Sequence, residues 1–201
     1  MDKKALDGKR VAVLAAEGFE ESELLKPVKA LKRAGAEVDI VSLKKGFIRS
    51  WNKKDWGKEI EVNASTEDGD PSDYDALVLP GGVINSDNLR INKKAIAFVK
   101  SFVSLQKPIA AICHGLWSLI DADGVKGRTL TSWPSLRTDL LNAGAHWVDQ
   151  PVMVDKGLVT SRNPDDLPFF TEKMIEEFAG KQVGEEARAT SEGMPESPKN
   201  L

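Results

Sequence analysis

Residues 108–115 read Pro-Ile-Ala-Ala-Ile-Cys-His-Gly, and this stretch decides the fold class. Its run 108–112 predicts a buried strand, and residues 115–122 predict a helix directly after it. A cysteine at a turn from strand to helix stands where hydrolases with a nucleophile elbow carry their nucleophile. The stretch therefore predicts an α/β fold with Cys113 at the carboxyl end of a strand.

Similar apolar runs precede this stretch and alternate with amphipathic segments. Strands that alternate with helices form a parallel sheet with helices on both faces, so a doubly wound, mostly parallel sheet is predicted. Chemistry in such sheets gathers beyond the carboxyl ends of the strands, where the loops 15–20, 80–87 and 113–115 are expected to meet. The predicted elements before Pro108 are strands at 11–15, 38–43 and 76–80 and helices at 20–34 and 91–105.

The rest of the chain adds a small excursion, four more elements and a tail. Residues 46–68, with Trp51 and Trp56, predict a hairpin outside the main sheet. Apolar residues nearly vanish after Lys181, so we expect one domain over 1–180 and a mobile tail over 181–201, whose deletion leaves the fold stable. The further elements are a helix at 134–143, short strands at 152–154 and 158–160, and a helix that Asn163 caps.

Composition excludes several classes of function. The 201 residues include 28 Lys and Arg against 31 Asp and Glu, a net charge of −3, so no nucleic acid contact is expected. No apolar run approaches the roughly 18 residues that a transmembrane helix needs. One cysteine and two histidines predict neither an internal disulfide nor a zinc site, and no cofactor is implied. We expect a reduced, cytoplasmic protein.

Cys113 and His114 are the first candidate site residues. The turn projects the sulfur out of the core, and a helix N-terminus stabilises a thiolate, which predicts a lowered thiol pKa. His114 is a candidate to accept the thiol proton. The alternatives are a buried structural cysteine and a histidine that caps the helix or points to solvent.

Glycines and glutamates supply further candidates. The run Pro80–Gly82 follows a strand, and glycines there let backbone amides approach an oxyanion, although a plain turn has the same pattern. Four glutamates crowd the start of the first helix, where negative charge complements the helix dipole. One of them could hydrogen-bond the sulfur, and spacing alone does not choose among Glu17, Glu20, Glu21 and Glu23.

Together these motifs resemble the DJ-1/PfpI superfamily, within the flavodoxin-like, class I glutamine-amidotransferase-like folds. The resemblance covers roughly residues 10–178 and is closest to the PfpI-type intracellular proteases and bacterial stress proteins, some described as protein deglycases. The motifs are Glu-Gly-Phe-Glu-Glu-Ser-Glu-Leu (17–24), Ala-Leu-Val-Leu-Pro-Gly-Gly (76–82), Ile-Cys-His-Gly (112–115), Gly-Arg-Thr-Leu-Thr-Ser (127–132), Asn-Ala-Gly-Ala (142–145) and Leu-Val-Thr-Ser-Arg (158–162).

The resemblance implies a role for each matching residue. Cys113 is the nucleophile, and Glu20 matches the family's buried glutamate, whose protonated carboxyl hydrogen-bonds the sulfur. His114 matches the catalytic histidine of the PfpI type. Gly82 and the Gly115 region match the backbone amides that receive an oxyanion.

The resemblance also implies assembly. In PfpI-type members an acid in the loop after the two glycines orients the histidine across a subunit contact, and Asp87 is the candidate here. Asp87 is shorter than the glutamate of the peptidases, and Leu116 stands where many members have proline. We expect a homodimer or higher homo-oligomer with the site near its interface, and Trp51 or Trp56 as apolar anchors.

The implied function is a cysteine-dependent hydrolase of the stress response that acts on reactive carbonyls or glycated protein. The alternatives are an intracellular cysteine peptidase, a redox sensor or chaperone that uses oxidation of Cys113 and binds unfolded protein, and a non-catalytic scaffold. An amidotransferase subunit needs a downstream histidine and glutamate one residue apart. The segment 146–148, His-Trp-Val, lacks the glutamate.

Overall fold

The computed structural model describes residues 4–180 as helices and strands in the alternation that the sequence predicts. The strands are β1 (Arg10–Leu14), β2 (Phe19–Glu20), β3 (Glu37–Ser42), β4 (Gly46–Asn52), β5 (Asp55–Val62), β6 (Ala64–Ser65), β7 (Ala76–Leu79), β8 (Ile109–Ile112), β9 (Thr129–Leu130), β10 (His146–Trp147), β11 (Val152–Asp155) and β12 (Leu158–Ser161). The helices are α1 (Glu21–Arg33), α2 (Val83–Arg90), α3 (Lys93–Ser104), α4 (Leu116–Asp121), α5 (Arg137–Asn142) and α6 (Leu167–Phe178).

Seven strands form the central sheet in the order β11-β12-β8-β7-β1-β3-β6. Its pairings are parallel except for β11, which runs antiparallel to β12. The predicted flavodoxin-like, mostly parallel sheet is confirmed. Because β7 lies beside β8, with Leu79 paired to Ala111, the chain after each strand leaves the sheet at the same edge. This pairing brings Pro80–Gly82 beside Cys113.

Helices cover both faces of the sheet, as the alternation of side chains along each strand requires. Val11 and Val13 belong to the core cluster that α1 and α6 complete, whereas Ala12 and Leu14 belong to the cluster that α3 and α4 complete. Full burial of a large apolar side chain contributes about 1.5–3 kcal/mol. The continuous apolar strands are therefore stabilised from both sides.

The predicted hairpin forms outside the main sheet. β4 and β5 pair antiparallel, and β2 adds to β4 to make a second, three-stranded sheet. The ring of Trp51 packs edge-on against that of Trp56, with 5.5 Å between centroids. Because β2 directly precedes α1, the hairpin fixes the start of that helix beside the carboxyl edge of the main sheet.

The observed elements differ from the predicted ones in one loop, in the starts of two helices, and in the two-residue strands β2, β6, β9 and β10, which are not among the predicted elements. Residues 83–87, which belong to the predicted loop 80–87, are part of α2, which begins directly after Gly82. α5 and α6 each begin after a single 3-10 turn that opens on a proline, Pro134 or Pro164. Asn163 is the predicted cap, since its side chain accepts a hydrogen bond from the amide of Asp165.

The predicted tail, 181–201, lies outside the described residues. Between residues 4 and 180, none of the helices is both long enough and apolar enough to cross a bilayer.

Candidate active site

Cys113 lies on a turn with unusual backbone geometry. β8 ends at Ile112, and Cys113 has a φ of 59°, in the left-handed region that side chains other than glycine rarely adopt. Such a conformation costs on the order of 1–2 kcal/mol, so the surrounding structure must hold it. A single 3-10 turn over residues 113–115 then leads into α4. This is the geometry of the nucleophile elbow that the sequence predicts.

Four groups surround the sulfur of Cys113, which is only 8% exposed. Nδ1 of His114 lies 3.2 Å from Sγ. The backbone amides of Gly82 and His114 donate to Sγ, and the carboxyl group of Glu23 contacts it from α1. The sulfur therefore faces one imidazole, one carboxyl and two amides.

Glu23 is the carboxyl group of this site. It is fully buried, and its Oε2 accepts a hydrogen bond of 2.8 Å from the amide of Gly81. Burial, supported by the nearby charge of Glu20, raises the pKa of Glu23 to about 8, although the Gly81 amide lowers it. Glu23 is therefore mostly neutral at pH 7.

The structure corrects the assignment of Glu20 to this position. Glu20 is half-buried on β2, where it accepts a hydrogen bond of 3.2 Å from the hydroxyl of Ser22. α1 begins one residue later, and its buried face carries Glu23 together with Leu24, Pro27 and Leu31. Residues 23, 27 and 31 are four apart, so they share one face of the helix. Once the start of α1 is known, that spacing singles out Glu23.

The expected lowering of the Cys113 pKa is also wrong. Burial raises the pKa of the thiol, and the negative charge of Glu23 in its ionised form raises it further, while the amides of His114 and Gly82 oppose this rise without outweighing it. A thiol in these surroundings needs a base to take its proton when it attacks.

His114 is placed to be that base. Burial lowers its pKa, so the ring is neutral at pH 7. The ring lies edge-on to Trp117, 5.1 Å between centroids, and is stacked against Trp133 at 6.2 Å. Within residues 4–180, no carboxyl group hydrogen-bonds the ring. Asp87 is exposed on α2 and lies in a helix, not in the expected loop.

Gly82 and Gly115 have different roles in the structure. Gly82 has a φ of 96°, and its amide donates to the sulfur of Cys113, while its predicted role of receiving an oxyanion stays a prediction. A Cβ at Gly115 would clash with the carbonyl of Leu79 and lie 3.0 Å from that of Pro80, so Gly115 permits close packing of α4 on the end of β7. The second amide at the sulfur comes from His114 and not from Gly115.

Two cavities lie at opposite edges of the sheet. One, of about 500 Å³, opens at the carboxyl edge beside Glu20, Leu25, Asn52 and Pro164. The other, of about 720 Å³, opens at the amino edge beside the starts of β8 and β12. No group of three or more His, Cys, Asp or Glu side chains among residues 4–180 is arranged to hold a metal ion.

The fold and the site together define an α/β protein with a cysteine on a strained elbow, flanked by a neutral glutamate and an adjacent histidine. The chain belongs to the DJ-1/PfpI family, whose model matches residues 9–177. The resemblance noted from the motifs is thereby confirmed.

Curated relatives match over nearly their whole length. General stress protein 18 of Bacillus subtilis is 42% identical over 84% of this chain and 96% of its own. YraA of the same organism, named as a candidate cysteine protease, is 41% identical over 83% and 96%. Protein/nucleic acid deglycase 2 of Escherichia coli is 40% identical over 83% and 96%. These names support an enzyme role in the family.

Solved structures agree with the fold. The crystal structure of Drosophila melanogaster DJ-1beta is 33% identical in sequence to this chain and superposes on it with a TM-score of 0.76. The match covers 86% of this chain and 91% of that one.

Proposed function

We propose that this protein is a cofactor-independent hydrolase that uses Cys113 to remove reactive carbonyls or early glycation adducts from protein. The observation that carries the proposal is the set of groups at the sulfur: a neutral imidazole 3.2 Å away, a neutral carboxyl and two amides. Relatives named as a deglycase and as a stress protein support this activity.

The first step is attack on an aldehyde. The S–C bond forms, the thiol proton passes to Nδ1 of His114, and the carbonyl electron pair moves to oxygen. The imidazolium returns its proton to that oxygen, which yields a hemithioacetal. For Nδ1 to accept, the neutral ring must carry its proton on Nε2.

Glu23 assists by remaining neutral. Its Oε2 accepts from Gly81, so the carboxyl proton is on Oε1, which has no other hydrogen-bond partner among the described residues. That proton can be donated to the sulfur, and a neutral donor stabilises negative charge that develops there. The amide of Gly82 acts in the same direction.

Water completes the reaction. With a 2-oxoaldehyde as substrate, a hydrogen shift between the two adjacent carbons converts the hemithioacetal into a thioester of Cys113. Water then hydrolyses the thioester, which releases a 2-hydroxy acid and restores the thiol. The net change is addition of one water to the 2-oxoaldehyde, and no other co-reactant is consumed.

A second copy of the chain supplies the partner of His114 in this proposal. Nε2–H of His114 needs an acceptor, and Asp87 is exposed on α2 without a side-chain hydrogen bond within residues 4–180. α2 also exposes Val83 and Ile84. An apolar patch beside an unpaired acid fits a twofold interface that places Asp87 at the partner's His114.

The test compares wild type with Cys113→Ser on methylglyoxal, on a glycated peptide and on an unfolded protein. Serine keeps the shape of the site, so the variant folds and loses turnover of the first two substrates. Wild-type protein without turnover of either would refute the hydrolase, and protection of unfolded protein by both forms would favour the chaperone.

A peptidase is the second candidate, because the Cys113–His114 contact and the relative YraA fit that chemistry as well. Cleavage of an unmodified peptide by wild type, lost in Cys113→Ser, would identify it.

A further inference from the structure

Asn85 is a fully buried polar residue in the first turn of α2, and the proposed mechanism does not use it. Its Oδ1 accepts a hydrogen bond of 2.6 Å from the amide of Ala16, just beyond β1. Its Nδ2 donates to two carbonyls, those of Pro80 and Gly81, each at 3.0 Å. Both amide protons of Asn85 therefore hold the chain that leaves β7.

The two carbonyls belong to peptide groups whose N–H groups point the opposite way, toward Glu23 and Cys113. A trans peptide is planar, and its C=O and N–H point in opposite directions. The plane whose oxygen is on Pro80 carries the N–H of Gly81, which donates to Glu23. The next plane, whose oxygen is on Gly81, carries the N–H of Gly82, which donates to Cys113.

These planes need a restraint, because glycine permits rotation. Gly81 and Gly82 flank one of the peptides, and a peptide between two glycines can turn over at little steric cost. A turned peptide would direct a carbonyl oxygen at the sulfur in place of an amide. The carbonyl of Gly81 is held by Asn85 and by the amide of Glu20 at 3.1 Å, and that of Pro80 by Asn85.

We propose that Asn85 is a positioning residue, whose amide group fixes the direction of the backbone donor that serves Glu23 and, together with the amide of Glu20, that of the donor that serves Cys113. It contacts neither reacting group and acts through the peptide planes. The inference rests on the proposed function only in taking Cys113 as the reacting group.

The test is the pH profile of Cys113 alkylation by iodoacetamide in Asn85→Leu. Leucine has a similar shape and no donors, so the Pro80 carbonyl loses its hydrogen bond and the Gly81 carbonyl keeps only the one from the amide of Glu20. Each N–H stabilises a negative group, and its loss raises the pKa of the Glu23–Cys113 pair. The groups facing the sulfur are Glu23 from α1 and His114 from its own turn, with Glu20 beside Glu23, and none of them is altered.

The expected result is a midpoint about one pH unit higher, which is about tenfold slower alkylation below the midpoint. Cys113 is the only cysteine of the chain, so the label reports this site alone. Ser86→Ala is the matched control, since Ser86 is the next residue of α2 and its buried hydroxyl has no partner among residues 4–180. The control keeps the wild-type midpoint.

Asn85→Ser is the second variant should Asn85→Leu fail to fold. Its one hydroxyl can hold only one carbonyl, so its midpoint rises in the same direction by a smaller amount. A folded Asn85 variant with the wild-type midpoint, or an equal shift in Ser86→Ala, would overturn the assignment. Because alkylation needs no substrate, the test stays valid even if carbonyl turnover is absent and the proposed function fails.

Discussion

Sγ of Cys113 and Nδ1 of His114 lie 3.2 Å apart although the two residues are neighbours in the chain. Adjacent side chains of a strand point to opposite faces, so such a pair does not meet in extended backbone. The left-handed conformation of Cys113 ends that alternation. The candidate nucleophile and the base proposed for it are thus brought together by backbone geometry within two residues.

Turnover of methylglyoxal should fall as the pH rises through about 8. Glu23 has a pKa of about 8. Above that pH the carboxyl group loses its proton, and the resulting carboxylate opposes negative charge on the sulfur. Glu23→Gln cannot ionise, so the fall near pH 8 should disappear in this variant. The measurement is kcat/KM from pH 6 to pH 10, and an identical alkaline limb in both proteins would contradict the assignment.

Glu23→Leu should lose at least tenfold more turnover than Glu23→Gln. Glutamine still accepts from the amide of Gly81 and still offers a neutral donor, whereas leucine does neither. A buried amide without a partner also costs about 1–3 kcal/mol of stability. Glu20→Gln is the control and should change turnover less than twofold. Equal losses at positions 20 and 23 would show that neither carboxyl acts on the sulfur directly.

Glu23→Gln should raise the melting temperature at pH 8 and change it much less at pH 4.5. The unfolded chain releases this proton near pH 4.5 and the folded chain near 8, so between these values the folded state binds more protons and its stability falls as the pH rises. At about 1.4 kcal/mol per pKa unit the effect amounts to a few kcal/mol. Calorimetry at both pH values measures it. The same gain in melting temperature at both pH values would mean that ionisation of Glu23 is not the cause.

Asp87 should act on the site of a neighbouring copy. Asp87→Asn is expected to lower turnover on the order of tenfold without dissociating the oligomer, because His114 loses its orienting acid. The oligomeric state is measured first, by sedimentation at micromolar concentration. A monomer at that concentration would exclude a contact between Asp87 and the site of a neighbouring copy.

Mixing the subunits tests the direction of the contact. Asp87→Asn chains keep Cys113, and Cys113→Ser chains keep Asp87, so a hybrid oligomer assembles one complete site. Refolded mixtures should exceed the activity of either parent. No gain in a mixture that contains hybrids would place the action of Asp87 within its own chain or exclude it.

The longer strands, the hairpin and most helices were predictable from their runs or periods of apolar residues, whereas the two-residue strands β2, β6, β9 and β10 are too short to show such a pattern. The run Ala76–Leu79 is apolar throughout and lies in the middle of the sheet, and the two tryptophans mark a hairpin with its own small sheet. α2 was missed because Val83–Arg90 carries few apolar residues and follows two glycines. The buried residues of α2 are two polar ones, Asn85 and Ser86, together with Leu89.

The elbow at Cys113 was predictable, and the details around it were not. The carboxyl was misassigned because the resemblance of the motifs pointed to Glu20, and the spacing of Glu23 from Pro27 and Leu31 identifies a buried face only once the start of α1 is known. The pKa was misjudged because a helix N-terminus alone suggests lowering, whereas burial depends on tertiary packing. Asn85 carries no sequence signal at all, since its partners are backbone atoms from two other segments.

The packing of Gly81 and Gly82 sets where the chain tolerates change. A Cβ at Gly81 would clash with Glu23 and lie 2.7 Å from the Cβ of Cys113, and one at Gly82 would lie 2.7 Å from the amide of Glu20. In a saturation library selected only for folded protein, these two positions should accept almost no replacement, while position 113 accepts serine. The side chain of Cys113 is therefore easier to exchange than the two glycines that pack beside it.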